Sequence, residues 1–256
     1  MAPVLVAVEG NIGAGKSVLL DAIASWLPGG LVAIAKEPIE EWTRCCGDGA
    51  DSALGKFYSS PERHAMDFQV LVASSKIRDL MPVFAAPEGR GPRLVVCERD
   101  PYDLDIFPTL NAEEGLFDES HVYVLGHLMD TLRIASGVPP VSGTIYLRSS
   151  PRLCADRVAL RNRAAETGAG ARGEYFEARL KRLDCLHDAK FASSAGEKFL
   201  VLDASLPAEK HRERVVRFLE LFLRRSPPAS SPGAQASSPG APASALSALT
   251  LATAPA

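Results

Sequence analysis

Residues 10–17 read Gly-Asn-Ile-Gly-Ala-Gly-Lys-Ser, the pattern G-x-x-x-x-G-K-S. An apolar run, Val4-Leu5-Val6-Ala7-Val8, leads in, and an amphipathic stretch from Val18 to Leu27 leads out. No other feature restricts the fold as tightly. A strand that ends in a glycine-rich loop and opens a helix can turn successive backbone N–H groups inward on phosphate oxygens. Glycine supplies the backbone conformations that this requires. Lys16 is placed to bridge β- and γ-phosphates, the Ser17 hydroxyl to help hold Mg²⁺, and the helix N-terminus to favour the anion. Gly10, Asn11, Ile12, Gly13, Ala14, Gly15, Lys16 and Ser17 are therefore expected to cradle a nucleoside triphosphate.

Apolar runs and helical patterns then alternate, the signature of a parallel sheet wound with helices. Strands are expected at Leu31–Lys36, Arg93–Cys97, Gly143–Leu147 and Phe199–Asp203. Helices are expected at about 61–84, 101–110, 119–136, 175–192 and 207–225, with another starting at Pro151, a favoured first helical residue. Thr167-Gly168-Ala169-Gly170 has the composition of a mobile loop. The expected fold is α/β: a doubly wound parallel sheet of five strands flanked by helices, with a lid, over residues 1–225. Residues 226–256 hold six prolines, mostly Ala, Ser and Gly otherwise, and no charged side chain. Such a tail cannot bury enough apolar surface to offset its ordering entropy and is expected to be disordered.

A formal charge of −3 argues against broad nucleic-acid or anionic-membrane binding. No apolar run is long enough to span a bilayer. The first strand begins by Val4, which leaves no room for a signal or transit peptide. Five cysteines (45, 46, 97, 154 and 185) lack C-x-x-C spacing, an unpatterned set expected of reduced thiols in a cytoplasmic compartment, or a nuclear one reached by diffusion.

In wound sheets ligands gather at the carboxyl ends of strands. Here those ends carry the phosphate loop, then Glu37, then Glu98-Arg99. Phosphoryl transfer needs a metal-holding carboxylate, cations for developing charge, and a group that orients the nucleophile. Glu98 is placed to reach Mg²⁺, Arg99 to hold an anionic or attacking oxygen, and Glu37 to accept a hydroxyl proton, although a carboxylate after a strand also serves as a helix cap. Arg157 and Arg161 share a helix face and Arg163 lies at its end. They suit a lid over transferred phosphate, and a solvated basic face has the same spacing.

With these residues assembled, the chain resembles the deoxynucleoside kinase family. The resemblance runs from about Val4 to Leu223. It rests on Glu9-Gly10-Asn11-Ile12-Gly13-Ala14-Gly15-Lys16-Ser17, Glu37-Pro38-x-x-x-Trp42, Phe57-Tyr58, Phe68-Gln69, Glu98-Arg99 and Arg157-x-x-x-Arg161-x-Arg163-x-x-Glu166, in that order. The resemblance implies ATP and a deoxyribonucleoside as substrates, with Mg²⁺. It implies Glu37 as the base toward the sugar 5′-hydroxyl, with Arg99 steadying that oxygen, and Glu98 and Ser17 on the magnesium side. Gln69 resembles the glutamine that reads the nucleobase, for which one amide offers both a donor and an acceptor. Trp42, Phe68 and Phe107 resemble the aromatic walls around the base, and Tyr58 and Glu166 the pair on the 3′-hydroxyl. Lys16, Arg161 and Arg163, with Arg157 nearby, resemble the phosphate clamp.

Asp100 stands where the family often has serine, and the segment to Phe107 is one residue short. Lys76 follows Gln69 by two helical turns and so shares its face. Paired with Asp103 or Asp105 it resembles members that prefer cytosine or purine bases; turned to solvent it carries no such meaning. The base thus stays open between deoxycytidine or a purine and thymidine. The resemblance also suggests a homodimer. A thymidylate-kinase-like enzyme and a catalytically silent phosphate-loop module are the competing readings.

Overall fold

The computed structural model describes residues 3–87, 90–166, 173–192, 194 and 196–225. The expected lid loop at 167–170 and the tail at 226–256 lie outside them.

Strand β1 (Val4–Glu9) is buried along nearly its whole length, and its side chains divide by the period of two that a strand imposes. Val6 and Val8 enter one apolar cluster with Leu19, Leu20 and Ile23; Leu5 and Ala7 enter another with Ile77, Leu80, Leu125 and Met129. Both faces are covered, as an all-parallel sheet requires. The first cluster belongs to α1 (Lys16–Trp26) and α9 (Arg212–Arg225), the second to α4 (Pro61–Phe84) and α6 (Glu119–Ala135). Each of these fully buried aliphatic side chains stabilises the fold by about 1.5–3 kcal/mol relative to exposure.

The sheet also contains β2 (Val32–Ala35), β3 (Leu94–Glu98), β4 (Gly143–Arg148) and β5 (Phe199–Asp203). Their order is β2-β3-β1-β4-β5, and every pairing is parallel. This is the doubly wound five-stranded sheet expected from the sequence. Register then fixes the site. Val8 lies opposite Glu98, and Ala35 opposite Cys97, so the carboxyl ends of β1, β3 and β2 stand side by side. The phosphate loop, Glu98-Arg99 and Glu37 leave from these three adjacent ends.

Between β2 and α4 the chain forms α2 (Ile39–Trp42) and α3 (Ala53–Ser59), short helices that the hydrophobic pattern had not marked. Helix α7 (Pro151–Arg161) starts at its proline as expected and is capped by the Ser150 hydroxyl, which accepts from the Leu153 N–H.

Three expected boundaries move. The helix expected from 101 begins only at Phe107, as α5 (Phe107–Glu113). Asp100 accepts from the Tyr102 N–H and Asp103 from the Asp105 N–H, so side chains capture the backbone groups that a helix would use. The helix expected over 175–192 is α8 (Gly173–His187) followed by a wider π turn at Asp188–Ala192. That turn lets Asp188 accept from the Tyr146 hydroxyl and from Arg148. The last helix is preceded by a 3₁₀ turn at Ala208–His211.

Candidate active site

The phosphate loop takes its shape from three glycines with positive φ: Gly10 (147°), Gly13 (83°) and Gly15 (100°), the last being the N-cap of α1. The N–H groups of Lys16 and Ser17, in the first turn of α1, have no intrahelical acceptor, an arrangement suited to an anion. The Lys16 ammonium donates to the carbonyls of Gly10 (3.2 Å) and Asn11 (3.0 Å) and lies 3.8 Å from Glu98 Oε1. Burial lowers its pKa to about 8, with Arg99 adding to the shift and Glu98, Glu37 and Glu9 opposing it. The Asn11 side chain turns away from the cradle. It donates to the Leu180 carbonyl (2.8 Å) and accepts from the Ile12 N–H (2.8 Å), tying the loop to α8.

Ser17 donates to Glu98 Oε2 at 2.9 Å. A hydroxyl and a carboxylate so placed fit the protein's share of a Mg²⁺ shell, the rest coming from phosphate and water. Among the described residues no cluster of three or more His, Cys, Asp or Glu side chains could hold a metal by itself.

Arg99 occupies the left-handed region (φ 64°), where a non-glycine residue is uncommon. Its Nε lies 3.1 Å from Glu37 Oε1, and its Cζ sits 4.7 Å over the Phe107 ring. Burial pushes the Glu37 carboxyl up, but Arg99, Lys76, Lys16 and Arg163 together outweigh it and hold the group below the ordinary carboxylate range. Glu37 is thus ionised at neutral pH.

Two clefts meet over this loop. One, about 1220 Å³ of open space, is walled by Trp42, Phe57, Tyr58, Phe68 and Phe107, with Gln69, Lys76, Glu37 and Arg99 facing in. Trp42 is fixed by its indole N–H donating to Ser75 Oγ (2.9 Å); Phe68 meets it edge-on (centroids 5.7 Å) and stacks on Phe57 (5.0 Å). The Gln69 amide has no hydrogen-bond partner among the described residues, so its donor and its acceptor are both open to the cleft. The second cleft runs from the loop past Arg157 to Ala204, Leu206, Pro207 and His211. Both clefts are lined by Gly13, Lys16, Ser17, Glu98, Arg161 and Arg163.

The arginines divide their work. Arg157 donates to the Ala14 and Ala204 carbonyls (both 2.8 Å), bracing the loop against the chain after β5. Arg161 makes a two-pronged pair with Glu166 (2.9 and 2.5 Å), and Arg163 adds a contact at 3.4 Å. Glu166 is buried beside Tyr58, whose hydroxyl is pushed up to about 12 by burial and by that carboxylate.

The expected pairing of Lys76 with Asp103 or Asp105 does not form. Both acids are held by Lys190 (2.6 and 2.8 Å), which the π turn carries to them. Lys76 is buried, not turned to solvent, and donates to the Asp100 carbonyl at 3.5 Å.

Three residues in or behind the cleft wall were given no role in the sequence reading. Arg179, buried and paired with Glu114, reaches Asn111 (3.3 Å) and lies over the Phe57 ring (5.5 Å). Glu9 and His187 are buried against Arg99. Glu9 carried a signal, an acid closing an otherwise apolar strand, just as Glu98 does. His187 and Arg179 carried none, since only the tertiary fold brings α8 to the site.

His187 gives a test of this packing. Burial, then the neighbouring Arg99, lowers its pKa from 6.5 to about 3. The unfolded chain takes up this proton near pH 6.5 and the folded chain only near pH 3. The folded state binds fewer protons in that window, so stability is intact above pH 6.5 and is lost as pH falls toward 3, by about 5 kcal/mol at the limit. Urea unfolding of His187→Gln between pH 7 and 4 should show a shallower acid loss than the parent. Identical slopes would show that this ring is not held neutral.

An all-parallel sheet with a phosphate loop at its central strand end, an acid–arginine pair beside it and two clefts meeting over it defines a P-loop phosphotransferase. The sequence profile of the deoxynucleoside kinase family matches residues 6–224, and the chain belongs to that family. It is similar to the thymidine kinase of Ictalurid herpesvirus 1 (strain Auburn), 28% identical over 228 residues that cover 88% of each chain. It is also similar to deoxycytidine kinase 1 of Xenopus laevis, 30% identical over 67% of this chain and 69% of that one. Deoxycytidine kinase 2 of Gallus gallus is 27% identical over the same shares. The enzyme is therefore a deoxynucleoside kinase. No helix among the described residues is long and apolar enough to cross a membrane.

Proposed function

We propose that the aromatic-walled cleft seats the deoxyribonucleoside, that the second cleft seats ATP, and that Glu37 takes the 5′-hydroxyl proton as that oxygen attacks the γ-phosphorus. The observation that carries this reading is the set of six residues common to both clefts, because an in-line transfer must occur where the two substrates touch. Arg99 holds Glu37 and the attacking oxygen in one place. Lys16 and the α1 N-terminus take the charge that builds on the phosphoryl oxygens, and Arg161 and Arg163 approach it from the lid side. Mg²⁺ held by Ser17 and Glu98 would neutralise the β- and γ-phosphate oxygens. Tyr58 and Glu166 receive the 3′-hydroxyl, and Gln69 reads the base between Trp42, Phe68 and Phe107.

Glu166 pairs with both Arg161 and Arg163 and offsets one of their two charges, which reduces the positive charge left in the acceptor cleft for a phosphate already on the acceptor. This favours a nucleoside over a nucleotide. Lys190 takes the acids that Lys76 was expected to meet, but Lys76 still lines the cleft two turns from Gln69, where its stem occupies the room that a 5-methyl group would need. This favours deoxycytidine or a purine nucleoside over thymidine. One panel tests both points. Thymidine, deoxycytidine, deoxyadenosine, deoxyguanosine and their 5′-monophosphates are offered with ATP and Mg²⁺ to the parent and to Lys76→Met. The expected result is turnover of nucleosides only, with Lys76→Met raising the thymidine-to-deoxycytidine ratio of kcat/KM by at least tenfold. Turnover of the monophosphates would overturn the acceptor assignment, and an unchanged ratio would remove Lys76 from base selection.

The large exposed side chains Met81 of α4 and Val122, Tyr123 and Ile134 of α6 support a homodimer through these helices. Sedimentation velocity of the full chain at micromolar concentration should give one dimeric species; a monomer there would set this aside. The five cysteines stand free, which supports residence in a reducing, cytoplasmic compartment. Recovery of the protein in a membrane or secreted fraction would contradict that placement.

A further inference from the structure

Arg99 is held at an uncommon backbone conformation by contacts on every side. Its N–H donates to the Val8 carbonyl (3.0 Å), and its carbonyl accepts from the Cys97 thiol (3.3 Å). The next N–H, that of Asp100, donates to Glu9 Oε1 at 2.7 Å. The second oxygen, Glu9 Oε2, has no hydrogen-bond partner and lies 4.0 Å from Arg99 Nη1. His187 Nε2 stands 3.4 Å from the same Nη1. His187 Nδ1 donates to the Leu183 carbonyl (2.7 Å), so in the neutral ring Nε2 is an acceptor and receives the guanidinium N–H.

A carboxylate buried at the end of an apolar strand with one oxygen unbonded is costly, and a glutamine would satisfy the Asp100 N–H equally well. Burial raises the Glu9 pKa to about 7 against the pull of Arg99, so above that pH the carboxylate supplies what glutamine cannot, a negative charge behind a guanidinium whose opposite edge must stay on Glu37.

We propose that Glu9, with His187, is a positioning residue for phosphoryl transfer. The Glu9 carboxylate locks the left-handed Arg99–Asp100 turn and backs Nη1 together with the His187 ring, so that Nε remains aimed at Glu37 and the attacking oxygen. Neither residue lines the acceptor cleft; both act through Arg99. This rests on the placement of Arg99 at the 5′-oxygen given above.

The test is a double-mutant cycle of Glu9→Gln with Arg99→Ala, assayed at pH 8 with ATP, Mg²⁺ and the best deoxynucleoside. In the parent background Glu9→Gln should lower kcat by roughly 10–100-fold, the scale of a small misplacement of a catalytic group. The KM for each substrate should stay within about threefold, as expected of a group that does not bind them. In the Arg99→Ala background the same change should cost less than about twofold, because residues that act as a unit are not additive. Equal fold losses in both backgrounds, or parental turnover of Glu9→Gln, would overturn the proposal. Arg99→Ala with parental turnover would instead overturn the placement of Arg99, and the proposal with it. If Glu9→Gln does not fold, His187→Leu against His187→Gln reads the same device. Leucine should lose turnover at unchanged KM, and glutamine, which keeps an acceptor near the Nε2 position, should restore it to within about threefold. Equal loss in the two would overturn it.

Discussion

Replacing Glu37 by glutamine should lower kcat by roughly 10²–10⁴-fold, the range that a positioned general base supplies. Burial raises its pKa, but Arg99, Lys76, Lys16 and Arg163 overcome that and keep it charged. Glutamine has nearly the same shape and still offers Arg99 Nε a carbonyl oxygen in place of the 3.1 Å carboxylate contact. The cleft and the aromatic stack are untouched, so the acceptor KM should move by less than about threefold, the pattern of an interaction used only in the transition state. Steady-state kinetics with varied deoxynucleoside at saturating ATP makes the measurement. Near-parental kcat would remove Glu37 from the base role. A large KM increase at constant kcat would make it a binding residue.

Replacing Gly13 by alanine should damage both stability and ATP binding. At φ 83° a side chain is strained by about 1–2 kcal/mol before any contact is counted. The added Cβ would lie 2.5 Å from the Cys154 carbonyl oxygen and 3.1 Å from Val158 Cγ2, and the first is backbone of α7, which cannot swing aside. Forcing atoms into a packed site costs a further ~1–3 kcal/mol. Together the loss should reach about 2–5 kcal/mol, read by urea unfolding. Because α7 carries Arg157 and Arg161, its displacement should also weaken binding of a non-hydrolysable ATP analogue by an order of magnitude or more, read by calorimetry. A stable variant with parental affinity would show that the loop and α7 are not in this close contact.

Much of the architecture was legible because it depends on local pattern. The continuous apolar run of β1, the long helix from Pro61 and the start at Pro151 follow from residue spacing and capping chemistry, which act over a few residues. The helix start at Phe107 was misplaced because Asp100 and Asp103 divert backbone N–H groups to their side chains, a competition that hydrophobic periodicity does not register. Lys76 shows the same limit at long range. Its spacing from Gln69 correctly placed it on the cleft face of α4. Which acid it would meet depended on Lys190, 114 residues further on, reaching Asp103 and Asp105 through a π turn.

The sequence by itself determined the phosphate loop, the parallel sheet and the set of strand-end residues, Glu37, Glu98 and Arg99, because glycine freedom, strand alternation and the strand-to-loop switch are written in neighbouring residues. The tertiary structure alone decided how those residues are held. Arg157 braces the loop, Glu166 pairs with Arg161 and Arg163, and Glu9 and His187 stand against Arg99. Each of these depends on charges and dipoles from separate elements meeting in a buried place, where solvent no longer screens them and their mutual distances set what they can do.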